Sequence, residues 1–227
     1  MSVTVLSMGH VGEIVSVLAD AFHDYPVMRN VLGADGLRDE NRYDERLHRL
    51  VELFVSGRAY RAEPMLGLRD DSGRLIGTAI MSLPTAQDPP AALMALRESI
   101  WGELGADARA RYEAYASAAG RSLPALPHHH LNMIGVRRSV QGRGLARPLL
   151  AAVHDLAAGD ERSAGVSLAT ERAENVELYE HFGYRVLGHA RVGPNLETWG
   201  MFRSRHPERS RARALYRDDE DPSLRSG

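Results

Sequence analysis

The spacing of apolar positions changes along this chain, and the changes mark its elements. Residues 3–6 form a short β-branched run suited to open a sheet. Over residues 10–22, Ile14, Val17, Leu18 and Ala21 recur at helical spacing, and Pro26 ends or redirects that helix. After a Gly-Ala-Asp-Gly turn at 33–36, Leu47, Leu50, Val51 and Phe54 predict an amphipathic helix over 41–55. Strands follow at 65–68 and 75–83, with Asp71-Ser72-Gly73 as the hairpin turn between them. Residues 84–90 read as a loop. The Ala-, Leu-, Glu- and Arg-rich stretch 91–119 predicts one or two helices, with Gly102 and Gly105 as breaks. Then come a strand (129–136), a helix (144–158), a strand (166–169), a helix (173–182) and strands at 184–192 and 197–202. Strand–helix–strand with a right-handed crossover implies a parallel pair inside an α/β sheet. Residues 1–203 read as one domain. Residues 204–227, charged and poor in apolar side chains, read as a solvated tail.

Composition narrows the function. A chain of 227 residues with 44% hydrophobic content suits a single folded α/β core. A net charge of −2 argues against a broad nucleic-acid surface. The absence of cysteine excludes disulfides, thiolate metal sites and a cysteine nucleophile. The first 22 residues lack a basic start and are interrupted by Glu13 and Asp20, unlike a signal peptide. No apolar run is long enough to cross a bilayer. The expectation is a cytoplasmic protein with neither membrane nor nucleic-acid partner; a homodimer stays open.

The most informative segment is Gln141-Gly142-Arg143-Gly144-Leu145-Ala146, between a predicted strand and a predicted helix. A strand-to-helix turn points unpaired N–H groups and the positive helix end outward, which favours an anion. Glycine there lets the anion approach without a Cβ in the way. A P-loop would need Gly-x-x-x-x-Gly-Lys-Ser/Thr, which is missing. A dinucleotide fingerprint would need a small residue where Arg147 stands and an acid ending the next strand, whereas Asp160 and Glu161 precede it. Pro148 is compatible with the following helix only if the helix starts near Gly144.

Gln-x-x-Gly-x-Ala resembles the acyl-CoA pyrophosphate motif of the GNAT superfamily of N-acetyltransferases. Two further segments are similar to that family: His130-Leu-Asn-Met-Ile-Gly-Val136, and Asn175-x-x-x-Tyr179-x-x-x-Gly183-Tyr184. A looser likeness, Ala21-Phe-His-Asp-Tyr-Pro26, is to the puromycin N-acetyltransferase branch. The resemblance implies a mixed central sheet, splayed at the acyl-CoA site, with helices on both faces. It implies acetyl-CoA as acyl donor, held by Ile134, Gly135, Val136, the turn from Gln141 to Ala146 (Gln141, Gly142, Arg143, Gly144, Leu145, Ala146) and Asn175. An N–H near Ile134 would hold the oxyanion during direct attack in a ternary complex.

Amide formation also needs a base for the amine and an acid for the departing thiolate. Tyr179, one helical turn after Asn175, is the candidate acid; a solvent-tipped core tyrosine is the alternative. His130 falls where superfamily members carry a base, and a merely hydrogen-bonded histidine strip is the alternative. Glu171 is the second candidate base. His128 and His130 lack a third ligand at convincing spacing, so no metal is expected. Phe22, Tyr25, Tyr112 and Tyr115 would wall an acceptor pocket, and Asp24 and Glu113 could attract a cationic amine. The expected activity is acetylation of a small-molecule amine. A protein or peptide amine as acceptor, and a non-catalytic acyl-CoA sensor, are the rival readings.

Overall fold

The computed structural model describes residues 2–36, 40–85 and 87–205. A seven-stranded sheet runs through them in the order β1-β2-β3-β4-β5-β7-β6. Its strands are β1 (Val3–Val5), β2 (Met65–Arg69), β3 (Leu75–Ser82), β4 (His129–Val136), β5 (Gly165–Thr170), β6 (Arg185–Val192) and β7 (Leu196–Ser204). Only β4 and β5 are parallel, as the crossover through α6 (Ala146–Gly159) requires. On one face lie α1 (Val11–Ala21), α2 (Pro26–Leu32), α3 (Glu40–Ala59), α4 (Ala91–Leu104) and α5 (Ala106–Gly120), around a core containing Ile14, Leu18, Leu50 and Trp101. On the other, α6 and α7 (Ala173–His181) cover Leu149, Val153, Leu168 and Tyr184.

Several elements differ from the sequence reading. Pro26 does not merely stop a helix. It is the first residue of α2, where its fixed φ suits a helix start and its missing N–H needs no partner. Of the two suggested breaks, Gly105 separates α4 from α5 with φ 87°, while Gly102 stays inside α4. Pro148 is the third residue of α6, within the tolerated first turn. β7 extends to Ser204, and the Arg205 N–H donates to the Ala164 carbonyl, so the first two residues of the expected tail join the sheet. Residues 206–227, the rest of that tail, lie outside the described residues.

Two irregularities of β4 shape the site. Against β3, Ile80 pairs with Met133 but Met81 pairs with Leu131, so Asn132 is an extra bulged residue. Its Oδ1 is pinned by the Ser82 hydroxyl at 3.0 Å and Arg58 Nη1 at 3.2 Å. Against β5, register exists only for His129, His130 and Leu131. Beyond them β4 follows β3 while β5 follows β7 to Thr170, and a wedge opens between the parallel strands. Gly135 lets α1 close the base of this wedge, since a Cβ there would stand 2.7 Å from the Ala21 methyl.

Candidate active site

The wedge leads into a cavity of about 220 Å³ between the sheet and helices α2, α3 and α5. Nine of the sequence candidates line it: Tyr179, His130, Glu171, Ile134, Asn175, Phe22, Tyr25, Tyr112 and Tyr115. They come from five places in the chain, the α1–α2 connection, α5, β4, the β5–α7 connection and α7, so only the fold brings them together. Phe22 and Tyr25 meet edge to face at 4.9 Å, and Tyr112 packs between Phe54 and Trp101. Met28, Val31 and Leu50 complete an apolar wall, of which the sequence reading named only Leu50, as part of the apolar face of its helix. Asp24 and Glu113 stand outside. Both are exposed and engaged at the surface, Asp24 with His23 and Glu113 with Arg109.

Glu171 sits just past the end of β5, only 8% exposed. Its Oε1 accepts hydrogen bonds from the Tyr115 and Thr198 hydroxyls, each at 2.9 Å. Its N–H donates to the Tyr25 hydroxyl at 3.3 Å. That hydroxyl is 3.0 Å from Thr170 Oγ1, which also accepts from the Asn175 amide at 3.2 Å. Burial raises the Glu171 pKa to about 7, against the opposing pull of the Thr198, Tyr115 and Tyr25 hydrogen bonds. Tyr25 itself is raised to about 12, by burial first and the Glu171 charge second, and therefore stays neutral. Tyr115 is pushed well above the ordinary tyrosine value by the same two causes and remains a donor.

His130 and Tyr179 occupy contrasting environments. Nδ1 of His130 lies 2.8 Å from the Ser167 hydroxyl. Burial, then the charges of His128 and Arg58, lower its pKa to about 4, leaving a neutral imidazole near pH 7. Tyr179 is raised by burial, then by Tyr25 and Glu171. Its hydroxyl bonds to no described residue.

At the other end of the wedge, Gly142 and Gly144 have φ 76° and 72°, the left-handed region in which glycine is least strained. A Cβ on either would meet nothing within 4 Å, so both open onto free space. The N–H groups of Gly142, Arg143, Gly144 and Leu145 donate to no described residue. Gln141 folds back so that its side-chain amide caps the Val136 carbonyl at 3.0 Å. Arg143 and Arg147 are exposed beside the turn, the latter 5.9 Å from the Phe182 ring centre. Open N–H groups, a helix N-terminus and two cations give this turn a geometry that favours an anion.

The comparison with known families agrees with that geometry. Residues 107–202 match the model of an acetyltransferase (GNAT) domain. The matched segment holds the turn, the wedge, Glu171 and Tyr179. The likeness in fold to solved structures extends over most of the chain. A structure of histone acetyltransferase HPA2 and related acetyltransferase from Corynebacterium glutamicum aligns at TM-score 0.61 and 20% identity, over 89% of this chain and 95% of that one. The C-terminal condensation domain of Ebony, in complex with beta-alanyl-dopamine, aligns at TM-score 0.54 and 15% identity, over 89% and 98%. The ribosomal-protein-S18-alanine N-acetyltransferase from Escherichia coli aligns at TM-score 0.51 and 16% identity, over 89% and 92%. At such identities these neighbours show the fold; acceptor choice depends on the cavity. Among the described residues no helix is long and apolar enough to cross a membrane.

Proposed function

We propose that the protein transfers an acetyl group from acetyl-CoA to the amine of a small molecule, by direct attack within a ternary complex. The observation that carries this reading is Glu171, a buried carboxylate ionising near pH 7 in a cavity that opens onto the splayed strands. A free alkyl amine is mostly protonated at neutral pH and needs a base whose own pKa lies near the working pH. Glu171 meets that condition. His130, the other candidate base, is too weakly basic at a pKa of about 4 and fits better as a neutral group orienting water or the acceptor.

The chain suits acetyl-CoA as co-substrate. The turn Gln141–Ala146 would take the pyrophosphate. The β5-facing edge of β4 from Asn132 to Val136, where pairing with β5 has ended, would take the pantetheine arm, with Asn175 beyond it. The thioester carbonyl would then lie against the Ile134 N–H, which receives its developing negative charge. Glu171 takes the amine proton, the nitrogen attacks the carbonyl carbon, and the carbon–sulfur bond breaks. Tyr179 donates its proton to the leaving sulfur and is restored by the second proton, which the nitrogen gives up once it is bonded to the carbonyl carbon.

The raised pKa of Tyr179 makes it a reluctant acid while Glu171 is charged. Burial is the main cause of that rise and the Glu171 charge a smaller one, so once Glu171 has taken the amine proton one of the effects opposing ionisation of the phenol is lifted. Protonation of Glu171 thus eases proton donation by Tyr179.

A small acceptor is favoured by the enclosure: aromatic residues from the α1–α2 connection, α3 and α5 wall the cavity, whereas a peptide needs an open groove for its flanking backbone. The Phe22-to-Pro26 likeness to puromycin-type enzymes points the same way, as does beta-alanyl-dopamine in the Ebony domain. Thiol release from acetyl-CoA should be measured against apolar amines, lysine peptides and free-N-terminal peptides. Small amines are expected to win clearly; peptides as better acceptors would overturn the small-molecule assignment, and no turnover on any amine would favour a sensor.

A further inference from the structure

A second cleft, about 490 Å³, adjoins the acceptor cavity and shares Arg58 and His130 with it. It lies between the end of α3, the end of β3 and the segment that leads into β4. Arg58 is largely buried. Its Nε pairs with Glu63 at 2.9 Å and its Nη1 bonds Ser82 and Asn132. Arg61, just past the end of α3, spends two donors on backbone carbonyls: Nε on Gln87 at 3.3 Å and Nη1 on Gly57 at 3.0 Å. No carboxylate among the described residues pairs with it. The Nη2 group of each arginine has no hydrogen bond to a described residue. Two guanidiniums against one carboxylate leave the cleft with one excess positive charge, and Arg97 on α4 adds its field at Arg58 and Tyr112.

We propose that this cleft is a subsite for an anionic group, a carboxylate or phosphate, at the end of the acceptor remote from its amine. The inference rests on the acetyltransferase reading only for where the amine sits. Glu171 and Arg58 both line the acceptor cavity, and Arg58 opens onto the cleft, so an acceptor with its amine at the carboxylate can direct its other end to the arginines. A partly desolvated guanidinium retaining a free N–H pair binds a planar carboxylate or a phosphate oxygen with a charge-assisted hydrogen bond. A neutral or cationic end would leave the excess charge unanswered. The apolar stretch between the two ends matches the aromatic wall of Phe54 and Tyr112.

Three amines of one shape test this: 4-(2-aminoethyl)benzoate, tyramine O-phosphate and the neutral 4-(2-aminoethyl)benzamide. Binding is measured calorimetrically on the full chain saturated with CoA, and thiol release separately. The anionic pair is expected to bind about 10-fold tighter than the benzamide. Arg61→Ala should remove most of that preference without changing benzamide binding, and Arg61→Lys should retain part of it. Thermal melting checks that each variant is folded. Equal binding of all three by the wild type, or an equal loss for all three in Arg61→Ala, overturns the subsite. Selective binding without thiol release keeps the subsite and sinks acyl transfer. Binding and turnover of the benzamide alone do the reverse. A preference for only one of the two anions identifies which group the cleft takes.

Discussion

The Tyr115 hydroxyl donates to Glu171 Oε1 at 2.9 Å, linking the middle of α5 to the end of β5 across 56 residues of chain. Thr198 donates to the same oxygen from β7. With Oε1 occupied twice, Oε2 is the oxygen left for a substrate proton, so the two hydroxyls set both the orientation of the carboxylate and its acidity.

Tyr115→Phe removes one of the hydrogen bonds that favour the ionised form, so the Glu171 pKa should rise further above 7. A hydrogen bond to a charged group contributes about 1.5–3 kcal/mol, or roughly one to two pKa units. The acid limb of the rate–pH profile should shift upward by about that much, and turnover lost at pH 7 should recover at pH 9. An unmoved limb with lower turnover at all pH values would assign Tyr115 to packing alone.

Glu171→Gln tests the base and carries an opposite signature in stability. The folded carboxyl ionises at about 7 and the unfolded one near its ordinary 4.5, so between these values the folded state holds the extra proton. Stability from this group is therefore full below pH 4.5, declines as pH rises to 7 and stays low above it, with a span of about 3 kcal/mol. The glutamine variant should melt higher than wild type at pH 8, with a much smaller difference at pH 5. Its turnover should fall by about 10²-fold or more. Equal melting shifts at the two pH values would show that Glu171 ionises normally.

Much of this fold could be read from the sequence because its strands and helices carry uninterrupted periodicity. β4 was expected at 129–136 and runs from His129 to Val136. The nine cavity residues were named from a motif and from residue chemistry, yet their convergence is a tertiary fact. α2 escaped because Pro26 stops a helix and starts one equally well, and seven residues offer little periodicity. The Asn132 bulge has no sequence signature beyond a polar residue in a strand. Thr198 and Arg58 were missed for a different reason. A lone threonine in a strand and an arginine near a helix end are ordinary surface choices, and only packing shows that one holds Glu171 and the other is largely buried. Glu113 shows the converse: its sequence neighbourhood is aromatic, but α5 turns it outward to Arg109.

The phosphate turn predicts a separable effect on donor binding. Gly144→Glu places a carboxylate among N–H groups that should meet phosphate, at φ 72°. The space is open, so the fold should survive with a cost of about 1 kcal/mol from the left-handed backbone. Acetyl-CoA affinity should drop at least 10-fold, while melting temperature in the absence of CoA changes little. Unchanged affinity in a folded variant would remove the turn from the donor site.

Tyr179→Phe isolates the acid. The phenol hydroxyl bonds to no described residue, so its loss should leave stability nearly unchanged. Acetyl-CoA binding should hold, because the ring and its packing on Tyr184 at 5.6 Å remain. Turnover should fall by about 10²-fold if thiolate departure limits the rate. The coupling between Tyr179 and Glu171 makes a sharper demand. In Tyr179→Phe, a thioester donor whose thiol is more acidic than CoA should recover much of the lost rate, since a better leaving group needs less help. In Glu171→Gln the same donor should recover far less, because proton removal from the amine is then the obstacle. Equal recovery in both variants would mean that the two residues do not divide the reaction between amine and sulfur.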